Sequence, residues 1–252
     1  MLAVITGASA GLGRDMAQIL SHRGAELILV ARREDRLEEL AHELPTHTEV
    51  HALDLSREED CRELHERVQK RSVDTLINNA GFGVYGNFLD TDLDTELRLL
   101  DTNIRGMHTL TKLFLQNFAA REMGGNILNI ASLAAFSPGP TMAAYYASKA
   151  YVLRFTQAIR EELRYAGMAD RVYVGAFCPG PFRTEFNDVA GVKFKGAGMS
   201  SERAARYAIK GMARKKGIIV PSLPWKMLHV CQKFAPSSLS GRVAMFLHHD
   251  AD

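Results

Sequence analysis

With 252 residues and 46% apolar content the chain can bury one large core, and one domain over 1–252 is the expectation. Its net charge of +2 comes from interspersed charges of both signs, with no basic run longer than Arg214-Lys215-Lys216, which argues against nucleic acid as a partner. Cys61, Cys178 and Cys231 are too scattered for a disulfide framework or zinc cluster, and no stretch reaches the ~18 uncharged apolar residues of a membrane span.

The first strand starts at Met1 or Leu2 with no leader ahead of it, so a cytoplasmic setting is expected. The apolar run Leu2 to Ile5 stops at Thr6-Gly7-Ala8-Ser9-Ala10-Gly11-Leu12-Gly13, and a helical pattern follows from Arg14 to Arg23. In such a junction Gly7 permits the sharp turn, Gly11 admits a ligand close to the backbone, and Gly13 lets helix pack on strand. Free N–H groups and the positive end of the helix dipole then face a pyrophosphate.

Glu26 to Val30 reads as a second buried strand, and its tip carries Ala31, Arg32 and Arg33. In dinucleotide folds an acidic residue about 20 positions past the glycines accepts the ribose hydroxyls of NAD, whereas arginine pairs with the 2′-phosphate of NADP. Arg32 and Arg33 therefore predict NADP(H). A helix with Leu37, Leu40, Ala41 and Leu44 inward comes next, then a strand from Thr48 to Leu53 ending in Asp54-Leu55, and a helix over 57–71 with Cys61, Leu64 and Val68 inward.

Val73 to Asn78 is a fourth strand, ending in Asn78-Asn79-Ala80-Gly81, whose side-chain amides can bond neighbouring backbone. An interrupted helical pattern from Asp92 to Ala120 carries Leu97, Leu100, Ile104, Leu110, Leu113, Phe114 and Phe118, with Asn103 inside it. Asparagine is a poor residue in mid-helix and needs a reason there. Asn126 to Ala131 is a fifth strand and stops at Ser132. Tyr145 and Lys149, four apart at the start of a long helix to about Tyr165, share a helix face.

Arg171 to Phe177 is a sixth strand, Pro179-Gly180-Pro181 a turn, 201–213 a helix and Gly217 to Val220 a last short strand. Continuous alternation of strand and helix argues an α/β doubly wound parallel sheet, a Rossmann fold with helices on both faces and a short helical C-terminal extension over about 221–252. The nine histidines show no ligand spacing with cysteines or acids, and no metal is assigned.

TGxxxGxG at Thr6 to Gly13, NNAG at 78–81, Asn103, Ser132, YxxxK at Tyr145 to Lys149 and PGxxxT from Pro179 to Thr184 occur in order. On these motifs residues 1–220 resemble the short-chain dehydrogenase/reductase family, NADP-preferring, and are more similar to its broad-specificity and steroid-type members than to its 3-oxoacyl carrier-protein reductases. The resemblance implies a cofactor along Gly7, Ser9, Gly11, Leu12, Gly13, Arg32, Arg33, Asp54, Leu55, Asn79, Ala80, Gly81, Tyr145, Lys149, Pro179, Gly180 and Thr184. It also implies that Lys149 grips the nicotinamide ribose, that Ser132 donates to the substrate oxygen, and that Asn103 supports a water path to Lys149. Homodimers or homotetramers built through the apolar faces of 104–118 and 150–163 are implied as well.

Carbonyl reduction needs an acid against the carbonyl oxygen, and Tyr145 is the candidate. The Lys149 ammonium one turn away is expected to lower the phenol pKa by ~2–3 units. Phe82, Val84, Tyr85, Ala134, Phe136, Met142, Phe182 and Phe186 follow sheet-edge motifs as candidate walls of an apolar pocket, and 184–201 reads as a lid in which Lys193 and Lys195 are solvated. The expectation is an NADP(H)-dependent oxidoreductase interconverting a ketone or aldehyde and its alcohol on a hydrophobic, steroid-like or acyl-chain molecule. A 3-oxoacyl thioester reductase and an NADP(H)-sensing binding protein are the alternatives.

Overall fold

The computed structural model describes residues 1–180, 199–222 and Met245. Seven strands form one parallel sheet in the order β3-β2-β1-β4-β5-β6-β7. They are β1 (Leu2–Thr6), β2 (Glu26–Ala31), β3 (Thr48–Ala52), β4 (Val73–Asn78), β5 (Gly125–Ile130), β6 (Val172–Phe177) and β7 (Ile218–Ile219). The helices are α1 (Gly11–Ser21), α2 (Glu34–Glu43), α3 (Glu58–Val68), α4 (Leu93–Leu100), α5 (Met107–Ala120), α6 (Ala143–Tyr165) and α7 (Ser201–Ala213).

The central strands are apolar at consecutive positions because both of their faces are covered. Side chains alternate between the two layers: Ala3, Ile5, Leu27 and Leu29 pack with α1, α2 and α7 through Met16, Leu37 and Ile209. Val4, Ile28 and Val30 pack on the opposite face with α3, α5 and α6 through Leu64, Phe114, Phe118 and Ile159. Each fully buried aliphatic side chain contributes about 1.5–3 kcal/mol. Cys61 belongs to this second layer as a free buried thiol.

The chain leaves β1 in one direction across the sheet and returns to β4 on β1's other side, so the carboxyl ends of β1 and β4 flank a switch point. Two departures from the sequence expectations bear on it. First, α1 begins at Gly11, three residues before the expected Arg14, because the glycines themselves make the first turn: a Cβ on Gly13 would be driven into the Gly7 carbonyl. Second, the helix over 92–120 is broken into α4, a π-helical segment Asp101–Gly106 and α5. Asn103 lies in that wider turn and is buried. Leu97 faces outward at 48% exposure, with Leu93 beside it at 66%, so α4 buries little beyond Leu99.

Among the described residues no helix is long and apolar enough to cross a membrane. The expected lid over 184–201 lies outside the described residues up to 198, as do Thr184, Phe182, Phe186, Lys193, Lys195, Cys231 and the C-terminal extension other than Pro221, Ser222 and Met245.

Candidate active site

Thr6, at the end of β1, ties the two sides of the switch point together. Its hydroxyl donates to the Ile77 carbonyl at 3.3 Å and accepts the N–H groups of Asn79 and Ala80 at 2.9 and 3.0 Å. Asn79 returns the link, donating through Nδ2 to the carbonyls of Thr6 and Gly7 at 3.0 Å each. Gly7 turns at φ 66°, and a Cβ there would meet the Ala80 Cα at 2.8 Å. The two asparagines divide their work: Asn78 turns into the sheet, donating to Thr111 Oγ1 and Asn129 Oδ1 at 2.9 Å each.

The N-terminus of α1 meets this junction with neither a side-chain cap from Ala10 nor an acid in its own first turn. Its N–H groups and positive dipole end are therefore suited to an external anion, as a dinucleotide pyrophosphate requires. Arg33, at the start of α2, donates to Ser9 Oγ at 3.1 Å, which holds one cation beside the turn; Arg32 is exposed. The Asp54 carboxylate accepts from the N–H and hydroxyl of Ser56 at 3.1 and 2.9 Å, and Leu55 is buried against Gly106.

Farther along the same edge the chemistry-bearing side chains converge. Ser132 follows β5 and opens the 3-10 turn Leu133–Phe136, accepting from Ala134 N–H at 3.1 Å. Its hydroxyl also hydrogen-bonds the Tyr145 phenol. Lys149, one turn along α6, is 6% exposed; its Nζ donates to the Ile130 carbonyl at 2.9 Å and lies 5.8 Å from the Tyr145 ring centroid. Leu133 N–H donates to the carbonyl of buried Pro179 at 2.8 Å, which brings the residues after β6, Gly180 included, to this edge.

Asn103 reaches the site from the π-helical segment. Its Oδ1 accepts from Phe82 N–H at 3.0 Å, and its Nδ2 donates to the Phe82 carbonyl at 2.9 Å and to Ser148 Oγ at 3.1 Å. Ser148 passes the link to the Tyr145 carbonyl at 2.7 Å. This is the reason for an asparagine inside a helix: it pins the segment after β4 to the turn of α6 that carries the phenol. Gly81 sits between, where a Cβ would lie 2.7 Å from Asn103 Oδ1 and 3.5 Å from Lys149 Nζ.

Electrostatics overturn one expectation. Burial pushes the Tyr145 phenol up to about 12, against a smaller opposing effect of the Ser132 hydrogen bond, so the ammonium does not draw it toward neutrality. The same burial brings Lys149 down to about 8, partly offset by nearby Cys178. Desolvation disfavours both charged forms and is the largest influence on each.

The structure adds Thr6 and Ser148 to the residues read from the sequence. Thr6 was legible as the hydroxyl just ahead of the glycine turn; nothing local marks Ser148. Of the proposed apolar walls, Met142 is buried with Tyr85, Tyr145 and Tyr146 packed against it, whereas Phe136 packs with Leu133, Val152 and Leu153 in a separate cluster. Among the described residues no group of three or more His, Cys, Asp or Glu converges as metal ligands do.

Residues 1–193 match the family model described as short chain dehydrogenase. The chain is 37% identical over 190 residues to sulfoacetaldehyde reductase 2 of Chromohalobacter salexigens, covering 73% of this chain and 74% of that protein. It is 33% identical over 207 residues to the probable oxidoreductase EphD of Mycobacterium bovis, covering 80% of this chain; it spans only 34% of EphD's length. A short-chain dehydrogenase from Sphingobium yanoikuyae in complex with NADPH superposes with a TM-score of 0.82 at 30% identity, over 92% of this chain and 94% of that one. A match that begins at β1 and runs beyond β6, on a shared topology, makes the ancestry plain: this chain belongs to the short-chain dehydrogenase family of oxidoreductases.

Proposed function

We propose that the protein is an NADP(H)-dependent oxidoreductase that interconverts a ketone or aldehyde and its alcohol on an apolar small molecule. The observation that carries this reading is the Tyr145 phenol, hydrogen-bonded to Ser132 and one helical turn from Lys149 at the carboxyl edge of the sheet. Members of this family use a nicotinamide cofactor, which when bound supplies or accepts the hydride. Gly7, Ser9, Gly11, Leu12 and Gly13 would hold its pyrophosphate at the start of α1; Asp54, Leu55, Asn79, Ala80, Gly81, Pro179, Gly180 and Thr184 would line the rest.

The protein's own residues handle the proton and the oxygen. Ser132 orients the substrate oxygen toward the phenol, and Tyr145 donates its proton to that oxygen during reduction or removes one during oxidation. Lys149, a cation below about pH 8, favours negative charge on the phenol oxygen as the proton leaves. Asn103 keeps the phenol-bearing turn of α6 in place through Ser148. The packing of Tyr85, Tyr145 and Tyr146 against Met142 supports an apolar substituent next to the carbonyl.

The test is NADPH and NADH consumption by the purified protein against neutral ketones and aldehydes, acyl thioesters and a short sulfonated aldehyde. Turnover confined to neutral carbonyls with NADPH is the expected result. Turnover of thioesters or of the sulfonate alone would overturn the substrate class, and tight NADPH binding with no turnover would favour a sensor.

The guanidinium of Arg33 beside Ser9, and the NADPH held by the Sphingobium neighbour, support the cofactor choice. Arg33→Ala is expected to raise the Kd of NADPH about 10- to 100-fold, the worth of a charge-assisted hydrogen bond of about 1.5–3 kcal/mol, and to leave NADH unchanged. Equal weakening of both, in titrations of nicotinamide fluorescence, would remove Arg33 from 2′-phosphate recognition and leave Arg32 to be tested the same way.

Assembly with a second copy is proposed through the outer face of α5 and α6. There His108 hydrogen-bonds the Tyr151 hydroxyl at 2.7 Å, and Phe155 stacks on both rings with centroids 4.6 and 5.5 Å away. Light scattering should give a dimer or tetramer for the wild type and a monomer for Tyr151→Glu; an unchanged mass would place the interface elsewhere.

A further inference from the structure

The backbone between the 3-10 turn and α6 adopts a conformation its sequence does not favour. Thr141 has φ 64°, the left-handed region that a β-branched residue seldom enters. That conformation has a visible product. The Thr141 carbonyl accepts the Gly86 N–H at 2.9 Å, so the segment following β4 is tied to the segment that opens α6.

The neighbours of Thr141 close the same knot. Met142 N–H bonds the Gly139 carbonyl at 3.1 Å, and the Met142 carbonyl accepts Tyr146 N–H at 3.0 Å as α6 begins. Gly139 lies flat on the Tyr146 ring, where any Cβ would overlap the ring carbons. Tyr145 and Tyr146 meet edge to face with centroids 6.2 Å apart. The Met142 side chain is thereby held, 4% exposed, with Tyr85, Tyr145 and Tyr146 packed against it.

Rings of this kind are rigid, whereas a thioether with three rotatable bonds adapts its shape. We propose that Met142 is a specificity-determining residue: its side chain sets how large an apolar substituent of the substrate fits beside the Tyr145 phenol, with Tyr85 and Tyr146 as the fixed walls. The substrates so selected are neutral carbonyl compounds bearing a flexible alkyl group or a flat ring next to the reacting carbon. This inference rests on the reductase reading above.

The experiment is kcat/KM with NADPH for butanone and for phenyl isopropyl ketone, on the wild type, Met142→Ala and Met142→Phe, with the Kd of NADPH measured alongside. Met142→Ala should raise the bulky-to-small ratio about 10-fold or more, and Met142→Phe should lower it by a similar factor, with the NADPH Kd unchanged in both. The two variants move the ratio in opposite directions, so either one that folds tests the proposal. A uniform fall for both ketones would make Met142 a packing residue alone and overturn it.

Failure of the wild type to reduce any neutral ketone or aldehyde would instead overturn the reductase reading. Binding of unreactive aliphatic amides of graded size to the NADPH-loaded protein, followed by nicotinamide fluorescence, then tests Met142 by itself. A size limit that moves outward in Met142→Ala supports the proposal, and an unmoved limit overturns it.

Discussion

Tyr145→Phe is expected to lower kcat/KM for carbonyl reduction by about 10³-fold while the Kd of NADPH stays within about twofold, because only the proton donor is removed. Ring packing against Met142 is kept and the hydrogen bond to Ser132 is lost, so stability falls by about 1 kcal/mol. The elevated phenol pKa gives the reaction a directional pH dependence. Held up at about 12 by burial, the phenol is protonated throughout the neutral range. Reduction, which uses the acid form, should therefore be nearly flat between pH 6 and 7.5. Alcohol oxidation, which needs the phenolate, should rise with pH over the same range. Full activity in Tyr145→Phe would show that another group delivers the proton; Tyr146, three positions from Lys149, would be the next to replace.

Lys149→Met should move stability and activity in opposite directions. The amine is brought from 10.5 to about 8 by burial, a cost of about 3 kcal/mol to the folded state wherever both states carry the ammonium. Below pH 8 folded and unfolded chains are both protonated, and the full cost is present. Between about 8 and 10.5 the unfolded chain holds more protons than the folded one, so stability rises with pH through that window and the cost is relieved above it. Methionine has a similar length and no charge; it forfeits the bond to the Ile130 carbonyl, worth about 1.5–3 kcal/mol.

The net expectation for the cofactor-free protein at pH 7 is a gain of about 1 kcal/mol, or roughly 2–4 °C in Tm, which shrinks as the pH is raised toward 10. Activity should fall at least about 10²-fold. Thermal melts at pH 7 and 9.5 check the sign: a variant less stable at both would mean that the ammonium is not a burden on the fold.

By itself the sequence determined the parallel sheet, since runs such as Leu27 to Val30 are apolar on consecutive residues and cannot be half-exposed strands. It also determined the meeting of Tyr145 with Lys149, because four positions on a helix place two side chains on one face whatever surrounds them. The α1 turn was legible for a similar reason: glycines at positions 7, 11 and 13 are local chemistry.

The tertiary structure alone decided how those groups behave. Asn103 meets Phe82 and Ser148 at separations of 21 and 45 residues, and Thr6 closes on Asn79 and Ala80 across more than 70. Periodicity says nothing about contacts at such distances. The outward turn of Leu97 depends on which part of α4 finds a layer to cover. The ionisation of the site follows the same logic: spacing put an ammonium near a phenol and suggested a lowered pKa, but burial by segments far apart in the chain raised the phenol and depressed the amine. Desolvation belongs to the packed molecule as a whole, and no four-residue spacing encodes it.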